Sequence, residues 1–380
     1  MTIAMRSHFP IVKIKLPLKL LASMLLLAVY LRPSALHAQG ALTPPGSPMP
    51  TMKTLGQIEP RMPISSAPFT IAQPGSYYLT TNVTVNSGHA ISILANGVTV
   101  DLNGFTISST EASPAGWGII FQSGAEDIIV VNGHIKGGVT SNGGVYTGPG
   151  FANGIGFSGA IPHNVRVSGV SVSGCLYSGI YLNSTNSTVV ESCTVQTVGG
   201  YGIFASVVSH STANVCGLTA IYADKASDCF GWCIGNGNGF SVISANNCAG
   251  HSSYGVGLSA SETATGCSGH CYGNNDGLAA ASAASCFGSS AGNGSGLNTT
   301  IANSCYGQSS GGPGLYAETA NNCYGYSSSG PGLYAVSVAC GCSGYSAGNS
   351  PGLSAFIASV SHGSSVGGTA LVAPHSINSY

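Results

Sequence analysis

A phrase that returns almost unchanged limits what this chain can fold into. "NSCYGQSSGGPGLYA" at 303–317 stands again as "NNCYGYSSSGPGLYA" at 321–335. Aligned on cysteine, the series runs Cys229, Cys248, Cys267, Cys286, Cys305, Cys323, Cys342, with steps of 19, 19, 19, 19, 18 and 19 residues. A Gly followed by an apolar residue keeps the same beat at Phe240, Leu258, Leu278, Leu297, Leu315, Leu333 and Leu353. The unit reads approximately G-L-x-A-x-x-A-x-x-C-x-G-x-S. Its period is shorter than that of helical-hairpin repeats, and it holds too much Gly and too few helix formers for a helical unit.

Upstream of residue 229 the beat continues in β-branched form. "VTVDLNGFTI" (98–107), "IIVVNGHI" (128–135), "VRVSGVSV" (165–172) and "TVVESCTV" (188–195) place apolar residues at alternate positions around a Gly, Asn or Ser kink. Alternation with period two means half-buried strand. Short strands with Gly/Asn turns, one coil per 19 residues or so, predict a parallel β-solenoid whose coils stack at about 4.8 Å. Some fifteen coils would make a rod of about 70 Å. Leu, Ala and Cys then point inward and stack on their counterparts, which explains the recurring phrase: each coil needs inward residues matched to the coils above and below. Gly is expected at the corners, where the backbone needs conformations other residues resist.

"PGSYYLTTNVTV", "ISILANGVTVDLNGFTI" and "VVNGHIKG" resemble the opening coils of right-handed parallel β-helix proteins of the pectate-lyase-like superfamily, and "SGIYLNSTNSTVVESCTV" is similar to their short repeats. The resemblance covers roughly residues 68–360. It implies an all-β, right-handed parallel β-helix, and relatives that include polysaccharide lyases and glycoside hydrolases.

Only 21 of 380 residues are charged, against about a quarter in an ordinary domain. With 56 Gly, bulky apolar residues are too few for one large core, and a thin repetitive one is expected. Residues 1–38 read as a secretory signal: Arg6, Lys13, Lys15 and Lys19 precede "LLASMLLLAVYL" and then the small residues of "ALHAQG". No later stretch is apolar enough to span a bilayer. Removing the signal takes five of the ten bases and none of the eleven acids, so the mature chain carries −6 with His neutral. Nucleic acid is excluded as a partner, because phosphate binding needs a basic stripe. The expected organisation is a Pro-rich tether (39–66), a cap and coils with two loop insertions (67–228), regular Cys/Gly repeats (229–372) and a tail (373–380). The expected location is secreted, at the cell surface or periplasmic.

Thirteen cysteines in an exported chain suggest disulfides, yet an odd number leaves at least one unpaired in a monomer. Stacked cysteines would have Cα atoms about 4.8 Å apart, which a bridge accepts. A ladder of buried thiols acting as small hydrophobes fits equally. Cys229/Cys233 and Cys267/Cys271 lie near His251 and His270 in repeat register, but Cys233 and Cys271 are two coils apart, about 9.6 Å, awkward for Zn–S bonds of about 2.3 Å. No metal or other cofactor is therefore expected for the repeats.

If Cys points in, the residues one and three places later point out. The first column reads Phe230, Ala249, Ser268, Phe287, Tyr306, Tyr324, Ser343; the second reads Trp232, His251, His270, Ser289, Gln308, Tyr326, Tyr345. Aromatics in file beside hydroxyls and amides suit sugar rings. The ligand-binding candidates are Trp232, Phe287, Tyr306, Tyr324, Tyr326 and Tyr345, with Trp117 from a loop insertion. Alternatively, Tyr in file simply stabilises the sheet.

An enzyme of the lyase kind needs acids to hold Ca²⁺ and a Lys or Arg base; a hydrolase needs paired carboxylates. Such groups concentrate only where two insertions, 108–118 and 137–161, interrupt the coils. There Asp101, Glu126, Asp127, Lys136 and Arg166 are the catalytic candidates, with Trp117 and Tyr146 as walls of a cleft and Ca²⁺ the only cofactor that alternative would bring. The half beyond residue 229 has no Lys or Arg. The reading is an exported, non-catalytic β-helix that binds polysaccharide or cell-surface glycan or contributes to an outer layer, with the lyase or hydrolase as alternative. Low charge and unpaired strand edges at the ends of such a rod also favour self-association.

Overall fold

The structure, a computed structural model, describes residues 60–380. The expected signal and the tether up to residue 59 lie outside the described residues. What is described is a parallel β-solenoid of about 17 turns without a helix. Each turn passes three sheet faces. Face A contains Val98–Asp101, Val189–Glu191 and, further on, 207–209; face B contains Thr106–Ser109, Thr194–Val198 and Thr212–Cys216; face C contains Trp117–Phe121, Asn153–Phe157 and Ile180–Asn183. The long strands Glu126–Lys136 and His163–Cys175 run through faces A and B around one corner, at Asn132 and Gly169.

The bore explains the repeat. On face C one inward column runs in direct register through Ile91, Ile119, Ile155, Ile180, Ile203, Ile221, Phe240, Leu258, Leu278, Leu297, Leu315, Leu333 and Leu353, all fully buried. Beyond residue 258, Ala takes most of the other apolar inward places, including Ala264, Ala283, Ala302, Ala320, Ala339 and Ala358. Such small residues bring the faces together until face B meets face C backbone to backbone. A Cβ at Gly288, Gly307, Gly325 or Gly344 would stand closer than 3.0 Å to the carbonyl of Gly296, Gly314, Gly332 or Gly352, respectively. These glycines are therefore inward, mid-strand residues and not the corner residues that the sequence suggests.

The A-to-B corner is made mostly by other residues. Asp228, Asn247, Ser285, Ser304 and Asn322 take φ between 51° and 53°, with Gly266 and Gly341 at 61° in the same column. Asn and Asp tolerate this left-handed region better than most L-residues. The next residue is the repeat cysteine, whose Sγ donates to the carbonyl two residues back: Cys248 to Asn246 at 3.2 Å, Cys305 to Asn303 at 3.2 Å, Cys323 to Asn321 at 3.1 Å. Sγ in turn accepts the amide of the cysteine one coil earlier, as Cys323 does from Cys305 at 3.4 Å. Ser211 and Ser361 perform both tasks at the same position, donating to Ser209 and Ser359 and accepting from the amides of Cys193 and Cys342. The column is thus a corner clip in which thiol and hydroxyl interchange.

All thirteen cysteines are free thiols, and only Cys340 is exposed. Burial pushes the Cys175 thiol up to about 12 and Cys193 to about 11. Along the ladder the directions alternate: hydrogen bonds between neighbouring thiols push Cys248, Cys286 and Cys323 up and lower Cys229, Cys267, Cys305 and Cys342. Burial shuts reagents out of every thiol but Cys340, and a buried structural cysteine is inert. A thiol reagent is expected to find one reactive cysteine in the native protein and thirteen after denaturation; fewer than thirteen would reveal disulfides and overturn the thiol ladder.

A second inward column on face B carries Ser252, Ser290, Ser309, Ser327 and Ser346. Ser327 Oγ donates to Gly312 O at 2.7 Å and accepts from Gly330 N at 2.9 Å, fastening the B-to-C loop to the coil before it. Cys233 and Cys271 occupy this inward column, whereas His251 and His270 point outward. Strand alternation therefore keeps the Cys and His of the conceivable zinc cluster on opposite sides of the sheet.

The boundaries differ from those expected at both ends. Met62–Ile64, inside the expected tether, is a strand paired with Gly75–Leu79. His375–Ile377, inside the expected tail, pairs with residues 357–359, and Tyr380 N donates to Ser361 O at 3.1 Å.

Candidate functional site

Face B is the regular side of the rod. From Phe230–Cys233 to His362–Ser365 its eight four-residue strands pair one to one without a register shift. The strands shared by faces C and A contain such shifts at Leu258–Thr265 and Leu333–Cys340. The difference is local: on face B a left-handed corner precedes each strand and, in six of the eight, a serine at its end ties the following loop, leaving little freedom of length.

Residues one and three places after each cysteine stand outward on this face. Their rings form one run from Phe230 to Tyr324 and a separate pair, Tyr326 with Tyr345. Phe230 meets His251 at 5.3 Å between centroids, His251 meets His270 at 4.7 Å, and His270 meets Phe287 at 5.2 Å. Phe287–Tyr306 and Tyr306–Tyr324 follow, each at 5.2 Å, and Tyr326–Tyr345 at 5.7 Å carries the second file one coil further. His251 and His270 thus bridge the gap left by Ala249 and Ser268 in the first column. Sequence reasoning placed them in the outward column but left them out of the site; alternation between the two columns was the available signal.

Ring orientation decides what this path offers. Phe287, Tyr306 and Tyr324 stack with planes 23° and 24° apart, and Tyr326 and Tyr345 with planes 13° apart. The ring faces are turned to one another, so edges and hydroxyls form the outer surface. Burial, and then the neighbouring phenols, push Tyr306 and Tyr324 up, holding both hydroxyls as neutral donors. Tyr306 Oη donates to Gln308 Oε1 at 3.5 Å. Burial lowers His251 and His270, and His270 lowers His251 further, which favours neutral imidazoles. None of the outward residues of these eight strands is Asp, Glu, Lys or Arg. Trp232 starts the second file, but its indole Nε1 is buried without a hydrogen-bond partner, so it offers no polar edge.

The catalytic candidates do not converge. Lys136 is on face B beside Ser108 and Ser173, whereas Arg166 is on face A beside Ile129 and Val189. Arg166 Nη1 pairs with Glu191 Oε2 at 3.2 Å. Asp101 accepts from Arg61 at 3.1 Å and from the Asn103 amide at 2.8 Å, and Asp127 accepts from Asn164 Nδ2 at 2.6 Å. Glu126 is exposed at the start of its strand, in register with His163. The cleft walls also part. Trp117 lies on face C over Gly156, while Tyr146 packs on Gly199 and Gly217 and donates to Val215 O at 3.0 Å. Tyr146 thereby pins the hairpin of Thr140–Asn142 and Val145–Thr147 to later coils. Both insertions leave between faces B and C, as their comparable departure points suggest, and touch through Gly150 N to Glu111 O at 2.8 Å.

No family model, curated protein or solved structure matches the chain.

Proposed function

We infer that this chain is an exported, non-catalytic rod that binds polysaccharide or cell-surface glycan along face B, as part of an outer layer or at the surface of the cell. The observation that carries the reading is the run of rings along an uncharged sheet face in unbroken register. Hydroxyl, amide and imidazole edges in a row match the hydrogen-bonding groups of sugars, and the ring edges between them give apolar contact. Export rests on the leader-like residues 1–38. Kinship with pectate-lyase-like β-helices belongs to the same proposal, supported by the solenoid architecture and the N-terminal phrases. Against the lyase alternative stands the separation of Lys136 on face B from Arg166 on face A.

The test pairs polysaccharide capture on the chain from Gln39 with ultraviolet absorbance for unsaturated products. Binding without new absorbance is expected. The Tyr306→Ser, Tyr324→Ser, Tyr326→Ser variant should lose at least tenfold in affinity, about 1.4 kcal/mol, with circular dichroism unchanged. Retained affinity would make the ladder structural, and absorbance abolished by Lys136→Ala or Arg166→Ala would restore the lyase.

A further inference from the structure

The spacing and charge of face B narrow the ligand. We propose that it is an extended, neutral, β-1,4-linked glycan lying parallel to the rod axis, one sugar residue to each coil. The proposal rests on the glycan reading above and adds polymer geometry and charge.

Pitch is the first argument. Successive rings at Phe287, Tyr306 and Tyr324 are 5.2 Å apart, and Tyr326 and Tyr345 are 5.7 Å apart. Those separations include sideways offset, and the coils themselves rise about 4.8 Å each; a β-1,4-linked chain of equatorially joined pyranoses is a straight ribbon whose rise per sugar is close to that coil rise. Successive sugars of such a ribbon are turned over, so alternate sugars would present the same edge to alternate coils. α-1,4-linked and β-1,3-linked glucans coil, so they leave a straight file after a few residues. Regularity is the second argument: only a face without register shifts stays in step with a linear polymer, and face B has none over eight strands. Charge is the third. The outward residues of those strands include no Lys or Arg to pair with uronates and no acid to recruit Ca²⁺ between protein and uronate.

Ring orientation sets the mode of contact. Because the ring faces are occupied by one another, the sugars lie across ring edges and exchange hydrogen bonds with Tyr306, Tyr324, Tyr326, Tyr345 and Gln308. Each contact is weak and exposed, so affinity has to come from many coils engaged at once.

Isothermal titration of the chain from Gln39 with β-1,4-linked oligosaccharides of two to eight sugars tests this, beside α-1,4-linked, β-1,3-linked and polygalacturonate oligomers of equal length. Affinity should rise at least tenfold from three to six β-1,4-linked sugars, while the other series stay at least tenfold weaker. Equal binding of the coiled or acidic oligomers would overturn the axial, neutral geometry while leaving glycan binding intact. Absence of binding to every series would overturn both.

Discussion

Gly307→Ala is expected to unfold the repeat half of the solenoid at a temperature where the parent is fully folded. The added methyl would stand closer than 3.0 Å to the Gly314 carbonyl, and what it meets is backbone, which cannot rotate away. The same strand is hydrogen-bonded to the coils on both sides, Phe287–Ser290 and Tyr324–Ser327, so a local retreat would break two ladders. Overpacking of this kind costs about 3 kcal/mol. Against it stands Gly341→Asn as a control. Gly341 is also a glycine of the repeat, but it is in the corner column, at the same φ region where Asn322 and Asn247 are found. Asn there should be within about 0.5 kcal/mol of the parent. Thermal denaturation followed by circular dichroism separates the two. A loss from Gly307→Ala as small as that from Gly341→Asn would mean that the bore is looser than the backbone contact implies.

That contrast also marks where sequence stops informing. Period, strand alternation and the outward columns were legible because each is a one-dimensional property: an inward Cys dictates what stands one and three places later. The solenoid followed from those alone. Gly was misassigned because its two uses look identical in sequence, absence of a Cβ serving both a left-handed corner and a backbone-to-backbone contact. The corner itself was written in Asn, Asp and Ser, a residue type that changes from coil to coil at one fixed place before the cysteine. The cysteine column was read as filler because a side chain's hydrogen bond to the carbonyl two residues back leaves no pattern until Ser211 and Ser361 are seen in the same place. At the candidate site, the columns were legible and the ring orientation was not. Whether phenols present faces or edges depends on rotamers that neighbouring coils decide. The cleft over Lys136 and Arg166 failed for a different reason: sequence proximity across two coils says nothing about which side of the corner at Asn132 and Gly169 each residue occupies.

A solenoid held by nearest-neighbour contacts should tolerate loss of a whole coil but not of half of one. Deleting residues 306–323 joins Cys305 to Tyr324, and the strand that then follows Cys305 is the one that already pairs in register with Tyr306–Ser309. Leu297 would stack on Leu333 in place of Leu315, the corner cysteine would keep its partners in kind, and Phe287 would face Tyr324 as it now faces Tyr306. The expected product is folded and shorter by one coil, about 4.8 Å. Deleting only residues 306–314 joins Cys305 to Leu315 and sends a face C strand onto the end of face B. Every inward residue downstream would then meet the wrong face. The repeat half should fail to fold, with loss of most of its strand signal and rapid proteolysis after the coil of Cys286. Affinity then links fold to proposed function: the whole-coil deletion removes Tyr306 and Gln308 but preserves the file, so a glycan that reads the axis should lose only the contribution of one coil. A loss as large as that of the triple tyrosine variant would instead mean that a single tyrosine cluster, and not the repeating face, holds the ligand.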